Sequence, residues 1–183
     1  MEAGVRISSE VDIPNPRLRP IYRLWQRMHA DGMLPTRADI RLEDLRAATN
    51  HALFAKVEHP YRGMESIHFT NTGGGFVNAI GLSLTDKTVA QVLADLGGTD
   101  TFTECFGEYD LAVREKQCFY NEGVFPALQK DWLNHQRLVM PLGRGEIAEG
   151  LFVLCDFDDD RLGVHLPEAL VEAPMEEAPL EKV

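Results

Sequence analysis

The run FTNTGGGFVNAIG at Phe69–Gly81 is where this chain changes its period. Before it the apolar residues are arranged as in strands, and after it they recur every three or four positions, as on one face of a helix. Glycines at a strand-to-helix corner serve one of two ends. They bare backbone N–H groups to an anion at a helix N-terminus, or they admit a second backbone where a Cβ would clash. The spacing separates the two. A P-loop requires Gly-Lys-Ser/Thr, and Gly81 is followed by Leu82; a dinucleotide fingerprint requires a third glycine where Asn78 stands. Gly73-Gly74-Gly75 is therefore expected to be a steric corner.

The pattern on either side supplies the element order. Residues 1–14 show no sustained periodicity and read as a flexible N-terminus. Asn15 is a candidate cap with Pro16 at the first helical position, and Leu18, Ile21, Tyr22, Trp25 and Met28 then form an apolar stripe that runs until Asp31-Gly32. A turn-rich link, LPTRADI at Leu34–Ile40, leads to a short helical candidate at Leu42–Ala48, so residues 15–48 form a helical cap. Extended runs at His51–Glu58 and Gly63–Thr70 flank Pro60 as a hairpin would. Three helices follow. Thr72 or Asn71 caps the first, which buries Phe76, Val77 and Ile80 and stops at Gly81; Thr85 caps the second, with Val89, Val92, Leu93 and Leu96 before Gly97; TFTE at Thr101–Glu104 opens the third, with Phe102, Phe106, Tyr109 and Val113 on one face. Strands are expected at Cys118–Phe125, Trp132–Leu142 and Gly150–Phe157, the last two joined through Leu142–Glu146. Grouped helices between consecutive antiparallel strands define an α+β domain over residues 49–166, and the leading helix is the obvious cover for the second sheet face. Residues 167–183, proline-rich and glutamate-rich, read as an acidic mobile tail.

Charge excludes some functions. With 18 Lys+Arg against 29 Asp+Glu the formal charge is -11, which repels polyphosphates and lacks the basic stripe that nucleic acid requires. Cys105, Cys118 and Cys155 are too far apart for a metal knuckle and odd in number, which suits a reducing, cytoplasmic setting. The longest apolar run, Leu151–Cys155, is far short of a membrane span, and no signal-peptide core precedes it, so neither membrane insertion nor export is expected. The acidic run Asp156–Asp160 lacks the turn glycine and final glutamate of a calcium loop and reads as solvated surface.

Three phrases resemble a family of bacterial single-domain PAS-like proteins, over about Ile21 to Phe157: YRLWQRMHADGMLPTRADI at Tyr22–Ile40, HFTNTGGGFVNAIGLSLTDKTVAQVL at His68–Leu93, and RLVMPLGRG at Arg137–Gly145. They correspond to that family's aromatic leading helix with its Leu-Pro and Arg/Asp turn, its strand-to-helix corner and following turn, and its closing Leu-Pro-Leu strand. Thr85-Asp86 stands where glycine is common in the family. The resemblance implies a five-stranded antiparallel sheet with helices between strands two and three and an N-terminal helix. It also implies sensing or protein interaction in signal transduction, with no catalytic output. A haem-binding member would offer a histidine from the helix before the third strand, and Thr101–Lys116 has none; a flavin photosensor would show an Asn-Cys-Arg-Phe-like run, and Cys105 lies instead in FTECFGEYD. Haem and flavin are both disfavoured, no metal or other cofactor is expected, and any ligand is an unknown small molecule.

The candidate site residues follow from this fold. Phe69, Phe76, Phe102, Phe106, Tyr109 and Tyr120 are the expected lining of the concave sheet, equally a pocket and a filled core. His68 and His135 fall in strands and are placed in one interior as polar contacts to a ligand. None of the six histidines has the i, i+4 spacing of a helical metal site. The stripe Leu18, Ile21, Tyr22, Trp25 and Met28 covers either its own sheet or that of a second copy, and a homodimer with an unidentified signalling partner is expected. Two alternatives stay open: a ligand-free interaction adaptor, and a small α+β hydrolase or isomerase using His68 or His135.

Overall fold

The run Leu151–Phe157 is buried at every position, and a strand with no solvent face must lie in the middle of a sheet covered on both sides. In the computed structural model, which describes residues 4–29, 32–41, 45–95, 100–125 and 130–158, with the side chains at 46–47, 100–105, 125 and 130–132 left out, it does. The strands are β1 (Val5–Ile7), β2 (Ala52–Val57), β3 (Ile67–Thr72), β4 (Cys118–Phe125), β5 (Lys130–Arg144) and β6 (Ile147–Asp158). The helices among the described residues are α1 (Arg19–Met28), α2 (Gly74–Ile80), α3 (Val89–Asp95) and α4 (Asp100–Glu115). All strand pairs are antiparallel, in the order β1-β4-β5-β6-β2-β3.

The architecture is the expected α+β arrangement, with six strands where five were expected. The additional strand is β1, which pairs with β4 through Val5 opposite Tyr120 and Ile7 opposite Cys118. Residues 1–14 are thus not a flexible lead as far as they are described: Ile7 and Ile13 are buried, and a short 3-10 turn at Glu10–Asp12 lies between them. Three residues carry too few alternations to register as a strand, and only the free edge of β4 gives them a partner. The expected acidic tail, 167–183, lies outside the described residues.

The leading helix begins later than its sequence suggests. Asn15 is not its cap: the Asn15 carbonyl oxygen of the side chain accepts the Arg17 N–H at 2.8 Å, and its amide donates to Gln136 at 2.6 Å and Asp156 at 2.8 Å. Regular helix starts at Arg19, which places Pro20 in the first turn, where its missing N–H has no partner to lose. The stripe Leu18, Ile21, Tyr22 and Trp25 is buried within this same chain and Met28 packs against it.

What fixes α1 to the sheet is a seam on β5. Trp25 Nε1 donates to the Pro141 carbonyl at 2.8 Å. Beyond Pro141 the β5–β6 register shifts between Leu142 and Gly143, and the backbone groups released there are taken up by the Leu34-Pro35 turn. The Gly143 N–H donates to Pro35 O at 2.9 Å and the Leu34 N–H to Gly145 O at 3.0 Å. The turn is itself tied by Asp39, whose carboxylate accepts the Thr36 N–H at 2.7 Å and the Thr36 hydroxyl at 2.8 Å.

The helices of the second face have caps other than those read from the sequence. Gly73, not Thr72 or Asn71, is the N-cap of α2, and the Thr72 hydroxyl accepts the Leu84 N–H at 3.1 Å. Gly81 closes α2 at φ 82°, the left-handed conformation in which glycine has no Cβ penalty. Thr88, not Thr85, caps α3: its hydroxyl accepts the Gln91 N–H at 3.0 Å while Gln91 Oε1 accepts the Thr88 N–H at 2.8 Å, a reciprocal box. Asp86 takes a left-handed turn at φ 64°, a conformation that a short polar side chain tolerates.

In the glycine-rich corner the steric requirement falls on Gly73. At Gly73 an added Cβ would overlap the backbone carbonyls of Asn50 and Thr49, because the corner lies directly on the 3-10 turn Arg46–His51, and the Gly73 N–H donates to Ala52 O at 2.9 Å. Gly74, one residue on, would meet nothing within 4 Å. Accordingly Gly73→Ala is expected to lower stability by about 1–3 kcal/mol through overpacking. Gly74→Ala is expected to be neutral or to raise it by about 0.4–1 kcal/mol. Urea unfolding midpoints of the two variants test this, and equal effects would remove the close-approach account.

Candidate functional site

Strand parity sorts the side chains of the sheet into two sets. Register pairs place Leu53, Val153 and Val139 in one row, Arg137 and Asn121 beside Cys155 in the next, and His135 beside Phe157 in a third, all beneath α2–α4. The other parity, Met140, Leu138, Gln136, Leu154 and Asp156, faces the N-terminal cap.

Under α4 the interior has an aromatic half and a polar half. Phe69, Phe106 and Tyr109 meet edge to face or tilted, with ring centroids 5.2–6.2 Å apart, geometry favoured by ring quadrupoles. Phe76 packs edge-on against Phe157 at 5.8 Å, and His51 lies 6.4 Å from the same ring. Beside this cluster Arg137 Nη2 donates to Glu108 Oε2 at 3.0 Å, with the two side chains 3% and 4% exposed. The Arg137 guanidinium lies 5.7 Å from the Tyr109 ring centroid. Glu108 also accepts hydrogen bonds from the Gly4 N–H and from Asn121. Burial pushes the Glu108 carboxyl above its ordinary value even though Arg137, Gly4 and Asn121 all pull it down.

His135 is buried in this half. Burial first, and then the Arg137 charge, hold its pKa well below 6.5, against a hydrogen bond with the Gly123 backbone that acts in the opposite sense. The ring is therefore neutral at physiological pH. The thiol of Cys118 is pushed well up by burial and stays protonated, which leaves it a small buried apolar group rather than a nucleophile.

Of the residues the sequence singled out, Phe69, Phe76, Phe106, Tyr109 and His135 are in this interior. Two are not. Tyr120 lies at the opposite parity: its hydroxyl donates to Glu122 at 2.8 Å on the face of the N-terminal cap, and burial and that partner raise its pKa. His68 alternates with buried Ile67 and Phe69, so it points outward and meets Glu58 at 3.5 Å. His68 and His135 therefore do not share an interior. The side chains of Phe102 and Cys105 lie outside those described. Asp156 is a further correction, being buried rather than solvated, bonded to Asn15 and 3.5 Å from Arg17; Asp159 and Asp160 lie outside the described residues.

Glu108, Asn121, Arg137 and His51 were missed by sequence reasoning. A signal existed for Arg137, which shares the parity of Leu133, His135 and Val139 along β5. Glu108 is flanked at helical spacing by Cys105 and Ala112, so its face is apolar.

Among the described residues no group of three or more His, Cys, Asp or Glu is arranged to hold a metal ion, and no helix is long and apolar enough to cross a membrane. In comparisons with known proteins the chain matches no family model, no curated protein and no solved structure.

Two outcomes follow from the polar half. Glu108→Gln leaves a buried guanidinium that cannot lose its proton, and should cost about 3–5 kcal/mol. Arg137→Met should cost less, because Glu108 can take up a proton. The double variant should recover most of the loss, and denaturant melts that showed additive losses would refute the pairing. For His135 the folded pKa is the lower one, so its contribution is intact above 6.5 and is lost as pH falls below that value, where the unfolded chain takes up the proton first. Between about pH 8 and about pH 5.5 the wild type should lose more stability than His135→Gln; parallel profiles would contradict this.

Proposed function

We propose that the chain is a PAS-like sensory or regulatory domain that receives a small, largely apolar molecule with one polar end beneath α4 and has no catalytic output of its own. The observation that carries this reading is the buried Glu108–Arg137 pair with Asn121, set at the end of the Phe69–Phe106–Tyr109 cluster. A buried ion pair gives little net stability compared with apolar packing of the same volume. An apolar interior with a few convergent polar groups is the composition of a ligand site, and strongly perturbed titratable groups gather at such sites. The α+β arrangement supports the reading: behind the leading helix α1 come a hairpin, grouped helices and a three-stranded meander.

The same pair suggests how occupancy reaches the surface. Glu108 holds the Gly4 N–H, and Gly4 directly precedes edge strand β1. A ligand that binds one arrangement of Glu108 more tightly than another shifts the equilibrium of β1 by that difference and no more. A partner protein that reads the β1 edge would then sense the ligand.

Native mass spectrometry of the full chain, purified from cells without denaturation, tests the reading. The expected result is a substoichiometric or full adduct of small-molecule mass that is lost in Tyr109→Ala. An unliganded wild-type mass, together with no thermal shift on addition of a total metabolite extract, would favour the ligand-free adaptor instead.

A further inference from the structure

The opposite sheet face carries a second feature, distinct from the interior beneath α4. Where the N-terminal cap ends, a groove of about 570 Å³ opens over β2, β5 and β6, a volume within the range of small-molecule sites. Its walls hold Arg37, Lys56 and Arg144 against one carboxylate, Glu149. In a chain of net charge -11 this convergence of cations runs against the overall composition. The global field does not cancel it, since charges beyond about 8 Å are screened at physiological ionic strength.

The topology explains the convergence. Lys56 lies opposite Gly150, which in turn lies opposite Leu142, so these three form a row across β2, β6 and β5. Gly150 leaves the floor of that row open, and an added Cβ there would come within 2.8 Å of the Ala55 carbonyl. Arg144 ends β5 just beyond the bulge between Leu142 and Gly143. Arg37 comes from the Leu34–Ile40 turn, and its guanidinium lies 3.8 Å from the centroid of the Phe54 ring, which stacks in turn on Phe152 at 4.9 Å. One Arg37 nitrogen donates to Ile40 O at 2.9 Å. A guanidinium fixed on one edge and one face is pre-organised, so little rotamer freedom is lost when its other donors engage.

The existing partners are weak competitors. Arg144 meets Glu149 at 3.7 Å and Lys56 meets Glu58 at 3.9 Å, both with largely exposed side chains, and such pairs contribute little. The two hydroxyls of the groove have already given their hydrogens, Thr36 to Asp39 and Thr70 to the Phe54 carbonyl at 3.2 Å. What they still offer is acceptor oxygens.

We infer that this groove binds a small organic oxyanion, its phosphate or carboxylate group on Arg37, Lys56 and Arg144 and its own hydroxyl or amino donors on Thr36 and Thr70. The cations supply charge-assisted hydrogen bonds, and Arg37 supplies the planar fork that suits either kind of oxyanion.

Calorimetric titration of the full chain at low salt, with pyrophosphate as the phosphate probe and citrate as the carboxylate probe, tests the inference and separates the two sources. Saturable binding of at least one probe is expected, weakening as sodium chloride is added. Arg37→Gln, Lys56→Gln and Arg144→Gln should each weaken it roughly tenfold, while Glu149→Gln should tighten it, an effect of opposite sign that a structural role would not produce. The Lys56 and Arg144 side chains are 65% and 83% exposed, so their variants should melt like the wild type and a folding defect would not account for lost affinity. Absence of saturable binding for both probes at millimolar concentration, or binding indifferent to all four substitutions, would overturn the assignment.

Discussion

The β5–β6 hairpin has no solvent face over its central length, and the rest of the structure answers that constraint. A central pair buried on both sides must be covered twice. Here one cover is assembled from segments before the sheet and the other from helices inserted between its strands. The first cover is held by directional bonds as well as by apolar contact. Trp25 reaches the Pro141 carbonyl, and the Leu34-Pro35 turn pairs with the backbone that the bulge at Leu142–Gly143 sets free. Proline has no N–H for the ladder, and a bulge removes further pairing, so this part of β5 would be a weak point in an uncovered sheet. The cap turns it into the attachment point.

The same two-sided burial accounts for both candidate sites. Beneath α4, the side chains of one parity are enclosed, and a polar group there must find a buried partner. Glu108 and Arg137 find each other, and Glu108 further takes the Gly4 N–H and Asn121. On the other face the described residues of the cap cover only part of the sheet. Where they stop, Lys56 continues the parity that is apolar under α1, Arg144 enters from beyond the bulge at Leu142–Gly143, and the turn that attaches the cap places Arg37 over Phe54. One site is a consequence of enclosure, the other of incomplete cover.

Asn15 and Asp156 show how packing can reassign a residue whose type was read correctly. Asn15 has the chemistry of a helix cap, yet its side chain bridges the Arg17 backbone, Gln136 and Asp156, and the helix begins a turn later. Asp156 has the chemistry of an exposed acid, yet it is buried by the amide that Asn15 presents and by Arg17. In each case the local preference was outweighed by a partner more than a hundred residues away in sequence, which no local pattern reports.

By itself the sequence determined the elements that rest on local physics. Glycine at Gly81 stops α2, the period change at Phe69–Phe76 separates strand from helix, the Phe106–Tyr109–Val113 spacing gives α4 its buried face, and the hairpin at Leu142–Glu146 joins two strands. The aromatic half of the interior was legible for the same reason, since apolar spacing states which side of a helix is buried. Only tertiary structure decided which parity of each strand faces which cover, because a shift of one residue exchanges the faces without changing composition or period. That choice removed Tyr120 and His68 from the interior, admitted Glu108, Asn121 and Arg137, recruited β1 to the open edge of β4, and laid the stripe of α1 on its own sheet.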